Sequence, residues 1–370
     1  MCTISVCKNQ RGALLRWLGV SAVATSSLWL APAAVAGNPA DVLPQCEALQ
    51  VAVSLPQVPD ATLYGELCVR ADKTPSAVQL LVHGATYNSY YSDWPYRPSV
   101  YSYVRQVTGA GYAAFNIERL GYGRSTHPNS ALVSLDSGAE ALHQVVQKLR
   151  NGQIGGRPFS RVIWVGHSLG TLYAWHEATV AQDVDAFVLT GLLHTVKPSW
   201  KTLAFASAYS ANADPKFATL GFDSLYLTFT PGTRAALFYF TPGAEPNVIA
   251  LDERLKDTVS GPEFLAALPE FDSPAVSTAP SQAIKVPTLL VVGEHDRVMC
   301  TFPGDPDGLA CTPLNVAEQE KVYYSDEAQL HVLVAPNTGH DLQLHLSAPA
   351  TGEAILDWLS KLGGGDSVHE

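Results

Sequence analysis

What this 370-residue chain lacks narrows it first. Its six cysteines include no Cys-x-x-Cys pair, so their spacing argues against a cysteine-built zinc site. It has no internal repeat and no glycine or proline block long enough to be a linker, which excludes solenoids and strings of loosely tethered domains. Past the N-terminus no stretch approaches the ~20 apolar residues of a spanning helix. There is no Asn-x-Ser/Thr glycosylation acceptor. Basic residues are scarce: 23 Lys and Arg against 34 Asp and Glu leave a net charge of −11. That balance argues against nucleic acid or anionic membranes as partners. What is present is hydrophobic residue in quantity, 47% of the chain, ample for one large core.

Three of the basic residues, Lys8, Arg11 and Arg16, open the chain with no acidic residue among them. An apolar stretch from Trp17 to Leu30 follows, and then Ala34-Val35-Ala36, the small residues a signal peptidase needs. Residues 1–36 are therefore expected to be a signal peptide. Ser21, Thr25, Ser26 and Ser27 interrupt the run, which disfavours a retained membrane anchor. With no twin-arginine pair, the general secretory route is expected. Cleavage would carry the net charge from −11 to −14 and leave a secreted or periplasmic protein with no stable membrane insertion.

Cys2 and Cys7 would leave with the signal, and Cys46, Cys68, Cys300 and Cys311 would remain. An even number in an oxidising compartment suggests disulfides. Of three possible pairings, Cys46–Cys68 with Cys300–Cys311 needs the shortest closures and is preferred. Asp305 and Asp307 lie in the second loop, which is expected to be solvated and closed by its disulfide rather than to be a calcium site.

Leu49–Leu55 and Leu63–Val69 look like an antiparallel pair joined through Pro56–Asp60. Short continuous apolar runs follow at Val78–Val82, Tyr112–Asn116, Val162–Val165, Ala186–Thr190, Thr288–Val292 and His331–Ala335. Runs of this length bounded by Gly, Asn or Pro suit strands buried on both faces. Segments of helical period, notably Gly138–Leu149, Leu169–Val180 and Thr351–Leu362, lie among or after them. The pattern predicts a mostly parallel sheet flanked by helices. About a hundred residues separate Thr190 from Thr288, far more than a helical crossover needs, and they are rich in aromatics. They are expected to form a helical cap over residues 192–285, inserted in a core of residues 37–191 and 286–370.

Gly166-His167-Ser168-Leu169-Gly170 sits between a predicted buried strand and a predicted helix. In that context the pattern reads as a nucleophile elbow, with Ser168 on a tight turn at a helix N-terminus. Serine needs a base, and the base needs an orienting acid. His340 is chosen because it follows the last predicted strand, after Asn337-Thr338-Gly339. Asp296 is chosen from Gly293-Glu294-His295-Asp296, after the strand at Thr288, with Glu294 second. Asp341, adjacent to His340, is read as loop or cap chemistry. Two backbone N–H groups should form an oxyanion hole: Leu169, after the nucleophile, and Ala85, in the His83-Gly84-Ala85-Thr86 loop. His83 is read as structural. Tyr87–Tyr103 is crowded with aromatics, and suits either a pocket mouth or a rigid loop beneath the cap. Tyr87, Trp94 and His167 are candidate pocket residues.

Leu81-Val82-His83-Gly84, Glu118-Arg119-Leu120-Gly121-Tyr122-Gly123-Arg124-Ser125, the serine motif, Gly293-Glu294-His295-Asp296 and Gly339-His340 together resemble the α/β-hydrolase superfamily. The resemblance runs from Val78 to the C-terminus and implies that fold and a Ser-Asp-His triad without metal or organic cofactor. Glu118 stands where the family often has Asp, and is read as structural. The expected activity is hydrolysis of a moderately apolar neutral ester or lactone through an acyl-enzyme. One alternative is an exopeptidase or amidase, which would need a carboxylate cluster to hold a substrate amine. Asp252, Glu253, Asp257, Glu263 and Glu270 are available for that. The other alternative is a non-catalytic ligand-binding homologue. Ester, thioester, lactone and cutin-like polymer all remain open, as does the oligomeric state.

Overall fold

In the computed structural model, residues 43–302 and 307–362 are described. The expected signal peptide, and Asp305 of the second cysteine loop, lie outside them.

Strands β1 (Pro44–Leu55) and β2 (Val58–Arg70) pair antiparallel. They are longer than the sequence predicted, and Pro56-Gln57 alone turns the chain, because Leu55 already pairs with Val58. The register shifts by one residue between Val53 and Leu55, and the Leu55–Val58 pair that follows keeps Val58–Asp60 in the strand. Cys46 and Cys68 face each other in this register and are joined as a disulfide.

Strand β3 (Ala77–Val82) is followed by helices α1 (Pro98–Tyr101) and α2 (Tyr103–Gly109), then by β4 (Ala113–Ile117). Helix α3 (Leu135–Arg150) begins three residues earlier than predicted, because Ser134 and Ser137 cap each other's backbone N–H groups. Strand β5 (Arg161–His167) runs into α4 (Leu169–Val180), and β6 (Ala186–Thr190) follows.

The long interval then unfolds as α5 (Pro198–Ser207), β7 (Ala208–Ser210), β8 (Tyr226–Phe229), α6 (Arg234–Phe238), α7 (Pro246–Leu255), β9 (Val259–Ser260) and α8 (Gly261–Ala267). The insertion is thus not purely helical: β7, β8 and β9 form a small antiparallel sheet of their own. The chain closes with β10 (Thr288–Gly293), α9 (Pro313–Glu320), β11 (His331–Ala335) and α10 (Ala348–Leu362).

The main sheet has the order β1-β2-β4-β3-β5-β6-β10-β11, and all pairings from β4 to β11 are parallel. Its central strands are buried on both faces, which is why they read as continuous rather than alternating apolar runs. Alternate side chains go to opposite sides. Leu80, Val162 and Trp164 join the cluster that holds α3 and α4, while Leu81 and Ile163 join the one that holds α2 and α10. The sheet therefore lies between two helical layers, with the carboxyl ends of β3, β5, β6, β10 and β11 leading into the loops that carry the candidate site. No helix among the described residues is long and apolar enough to cross a membrane.

Candidate active site

Ser168 stands between β5 and α4 with φ 52° and ψ −116°, a backbone state that non-glycine residues rarely adopt. The surroundings hold it there. Its N–H donates to the Thr190 carbonyl at 2.7 Å, and its own carbonyl accepts from Thr171 N at 2.8 Å. A Cβ on Gly170 would overlap the Val82 carbonyl, and one on Gly166 would overlap Gly170 itself. The two glycines therefore let β3, β5 and α4 converge beneath the serine. Leu169 N–H, at the first position of a 12-residue helix, has no intrahelical acceptor. The helix dipole favours negative charge at this point.

His340 follows β11, and its N–H donates to the Phe238 carbonyl at 2.8 Å. Its Nδ1 lies 3.0 Å and 3.1 Å from the two oxygens of Asp296. A proton on Nδ1 leaves Nε2 free to accept another. Asp296 is buried just after β10, and its Oδ1 accepts from Val298 N at 2.8 Å and Met299 N at 3.3 Å. Burial works against the His340 imidazolium, but the charge and hydrogen bond of Asp296, with the charge of Asp341, raise its pKa above the ordinary 6.5. Glu294, the second choice for the acid, instead accepts from Asn337 N at 2.9 Å.

Ser168 and His340 line one apolar pocket, together with Ala85, Leu169 and Tyr87. Leu172 of α4 and Val298 join them. The opposite wall comes from the insertion: Leu192, Trp200, Phe229, Phe238, Phe264 and Phe271. Trp200, Phe229 and Phe238 stand out in the sequence as aromatics of the interval, but nothing there says which of them face the serine.

Of the three candidate pocket residues, only Tyr87 lines the cavity. Trp94 is buried in the core, as are Tyr91, Tyr101 and Tyr103, so this aromatic stretch is chiefly a rigid packed loop. His167 lies beneath the site, its ring 4.2 Å from Tyr91 and its Nδ1 3.0 Å from Thr190 Oγ1.

The loop carrying Ala85 is tied down from several sides. Buried Thr86 has φ 58°, an outlier for a β-branched residue, and its hydroxyl accepts from Arg234 Nη1 at 3.0 Å. Arg234, in the insertion, also donates to Asp252 at 2.7 Å and lies over the Tyr87 ring at 4.3 Å. The Tyr87 hydroxyl reaches Asp341 at 2.6 Å and Asp252 at 2.9 Å. It holds one proton for two carboxylates. Burial, together with the charge of Asp252, raises Asp341 to about 7, so one carboxyl of the pair readily keeps a proton. His83 accepts from Arg119 N at 3.1 Å, and burial lowers its pKa well below the ordinary value, so it is a neutral strut.

His345, which no sequence motif marks, organises the His340 loop. Its Nε2 accepts from Gly339 N and Phe240 N, both at 3.1 Å, and its Nδ1 donates to the Asp341 carbonyl at 2.8 Å. Burial lowers it to about 4. Glu118 accepts from Ser89 and Arg124, each at 2.7 Å, and holds the turn that follows β4.

The five acids considered for an amine-binding cluster are dispersed. Asp252 faces Arg234, Glu253 accepts from Gly232 N, Asp257 from Asn88, Glu263 from Arg119 and Tyr122, and Glu270 faces His176. None lines the pocket. Cys300 and Cys311 are joined, and Cys300 N donates to the Asp296 carbonyl at 2.8 Å. Asp307 accepts from Ser199 N and Oγ at 2.8 Å and 2.7 Å, fastening this loop to the first turn of α5.

The family model described as "Alpha/beta hydrolase family" matches residues 79–351. No curated protein sequence matches significantly. Solved structures do, as folds. A thermophilic esterase from Thermogutta terrifontis is 17% identical with a TM-score of 0.56, covering 85% of this chain and 99% of its own. An esterase from Exiguobacterium antarcticum is 16% identical with a TM-score of 0.55, covering 81% and 96%. An enol-lactonase from Burkholderia xenovorans LB400 is 15% identical with a TM-score of 0.54, covering 81% and 97%.

Proposed function

The chain belongs to the alpha/beta hydrolase family, and from that premise we propose that it is a secreted serine hydrolase cleaving a carboxylic ester or lactone of a moderately apolar, neutral substrate. The observation that carries this reading is one pocket wall holding Ser168, His340, Ala85 and Leu169, with His340 bound through Nδ1 to buried Asp296. Ser168 attacks the carbonyl carbon while His340 Nε2 takes its proton. Asp296 holds the imidazole in the Nδ1–H tautomer and offsets the charge it gains. The N–H groups of Ala85 and Leu169 stabilise the oxyanion. His340 returns the proton to the leaving alcohol, and water repeats the cycle on the acyl-enzyme.

The neutral, aromatic wall supports an ester with an apolar acyl part. The insertion supplies most of that wall, so residues 192–285 act as a cap over the nucleophile. Dispersal of the five acids argues against an exopeptidase, because among the described residues no carboxylate lines the pocket to hold an amine. Two disulfides are compatible with an oxidising compartment.

The test is Ser168→Ala. The variant should keep the wild-type circular dichroism, lose hydrolysis of short acyl esters, and lose labelling by a fluorophosphonate. Labelling that persists at another serine would sink the assignment.

A further inference from the structure

A second group of potential ligands lies on the far half of α4 from Ser168. His143 is on α3, Glu177 on the last turns of α4, and Asp183 in the loop that leads to β6. His143 Nδ1 is 3.5 Å from Glu177 Oε1 and 3.3 Å from Asp183 Oδ2. One ligand atom from each residue fits within 4.8 Å of the others. These are not hydrogen bonds: His143 Nδ1, Glu177 Oε1 and Asp183 Oδ1 are all buried without a hydrogen-bond partner.

The Glu177 side chain is only 1% exposed, yet among the described residues no Lys or Arg pairs with it or with the Asp183 carboxylate. Arg150 turns its guanidinium to the Asp183 carbonyl and to Asp185 instead. A buried carboxylate without a cation or donors is expensive. Burial, with the hydrogen bond and charge of Asp183, raises Glu177 to about 9, so without a cation the pair keeps a proton; a divalent ion can displace that proton and accept the imidazole lone pair as well.

The spacing says what. With metal–ligand bonds of ~2.0–2.1 Å, two ligands on a tetrahedral ion lie about 3.3 Å apart. The imidazole–carboxylate separations of 3.3 Å and 3.5 Å match that edge. One nitrogen and two carboxylate oxygens suit zinc and its transition-metal neighbours, whereas calcium and magnesium favour all-oxygen shells. We propose that His143, Glu177 and Asp183 bind a zinc-class divalent cation, with water in the fourth position. His143 at 17% exposure and Asp183 at 28% leave an entry path and room for that water.

Gln147 supplies the supporting contact, its amide 2.8 Å from His143 Nε2. With the amide turned so that its oxygen accepts from Nε2–H, Nδ1 presents its lone pair to the ion. Glu177 lies nine residues after Ser168, about 13 Å along the helix, so the ion does not touch the reacting atoms. Its role is structural: it ties α3, α4 and the entry to β6 together at the end of the helix that carries the elbow.

The experiment uses the full mature chain, stripped with a chelator, re-equilibrated with zinc and desalted. Elemental analysis should find one zinc per chain. At a hundredfold excess over Kd, the melting temperature should rise by roughly 5 °C. Cobalt substitution should give the intense visible absorption of a tetrahedral site. Glu177→Gln, which is nearly isosteric, and His143→Ala should each abolish metal retention, the cobalt band and the melting shift, while ester hydrolysis at 25 °C stays at the wild-type rate. Failure of the wild type to retain metal, or retention unchanged in both variants, would overturn the proposal.

Discussion

The proton on His340 is governed by opposing forces. Burial disfavours the imidazolium; Asp296, by charge and hydrogen bond, and Asp341 favour it, and the balance lies above 6.5. In the proposed mechanism the neutral form accepts the serine proton, and that form is lost as pH falls through a value above 6.5. The acid limb of kcat/KM should centre above 6.5, and Asp296→Asn should move it down while reducing turnover by about 10⁴, because the wrong tautomer then faces Ser168. A nearly silent Asp296→Asn beside a severe Glu294→Gln would mean that the other acid does this work. His345 gives a second pH signature, of opposite origin. Its folded pKa is depressed to about 4, so between 6.5 and 4 the unfolded chain binds a proton that the folded chain refuses. Stability is untouched above that window and falls as pH drops through it, by about 1.4 kcal/mol per unit. His345→Gln keeps an acceptor but does not titrate. The stability gap between wild type and this variant should therefore shrink by about 2 kcal/mol from pH 7.5 to pH 5, measured by urea unfolding at both. An unchanged gap would show that His345 is not the neutral acceptor described here.

Two connections between elements set how firmly the site is held. The Cys300–Cys311 bridge closes the loop that begins one turn after Asp296, with Cys300 N bonded to the Asp296 carbonyl. Loop entropy alone makes the bridge worth about 2–3 kcal/mol. Its larger effect is expected to be local, holding the Asp296 turn against His340. A Cys300→Ser/Cys311→Ser double variant should lose activity at a temperature below its own unfolding by circular dichroism, and coincident curves would refute this. The second connection is Arg234 to Asp252, both buried, which links α6 and α7 to the Thr86 turn. Asp252→Ala leaves the guanidinium buried without its counter-ion and should cost about 3–5 kcal/mol. Because Arg234 also supports the strained Thr86 beside Ala85, kcat should fall more than KM rises. A variant with wild-type melting and wild-type kcat would remove the clamp from the account.

At the scale of the whole molecule, the pocket exists only where the insertion meets the core. Phe264 and Phe271 bracket the end of α8, well over ninety residues after Ser168, and still share a cavity with it. Phe264→Ala should enlarge the pocket and shift the preferred acyl chain to longer esters, read as the ratio of kcat/KM between octanoate and butyrate p-nitrophenyl esters. A ratio that does not change would place the acyl group elsewhere. The central strands were legible because burial on both faces leaves a continuous apolar run. The elbow was legible because the glycines that permit it flank the serine in five consecutive residues, although the backbone that Gly170 admits is that of Val82 on β3. Strand ends were less so: β2 extends back to Val58 because its partner offers hydrogen bonds there, a demand that its own residues do not announce.

The succession of buried strands along the chain, the serine turn, and the positions of Asp296 and His340 after β10 and β11 follow from local patterns, since each is written in a few consecutive residues, whereas the order of the strands in the sheet is not. The pairing of the four cysteines was a preference based on chain closure, and the strand register gave it geometry at Cys46 and Cys68. What local pattern could not decide is whatever depends on side chains converging from distant segments. His345 accepting from two loops, Arg234 reaching Thr86, the small sheet within the insertion, and the meeting of His143, Glu177 and Asp183 all have this character. A short motif announces a backbone turn because the residues that permit it are neighbours in sequence, even where the strands that hold it are not. A shared proton, a buried ion pair or a ligand set is fixed by distances across the fold, and those are set only when the layers have packed.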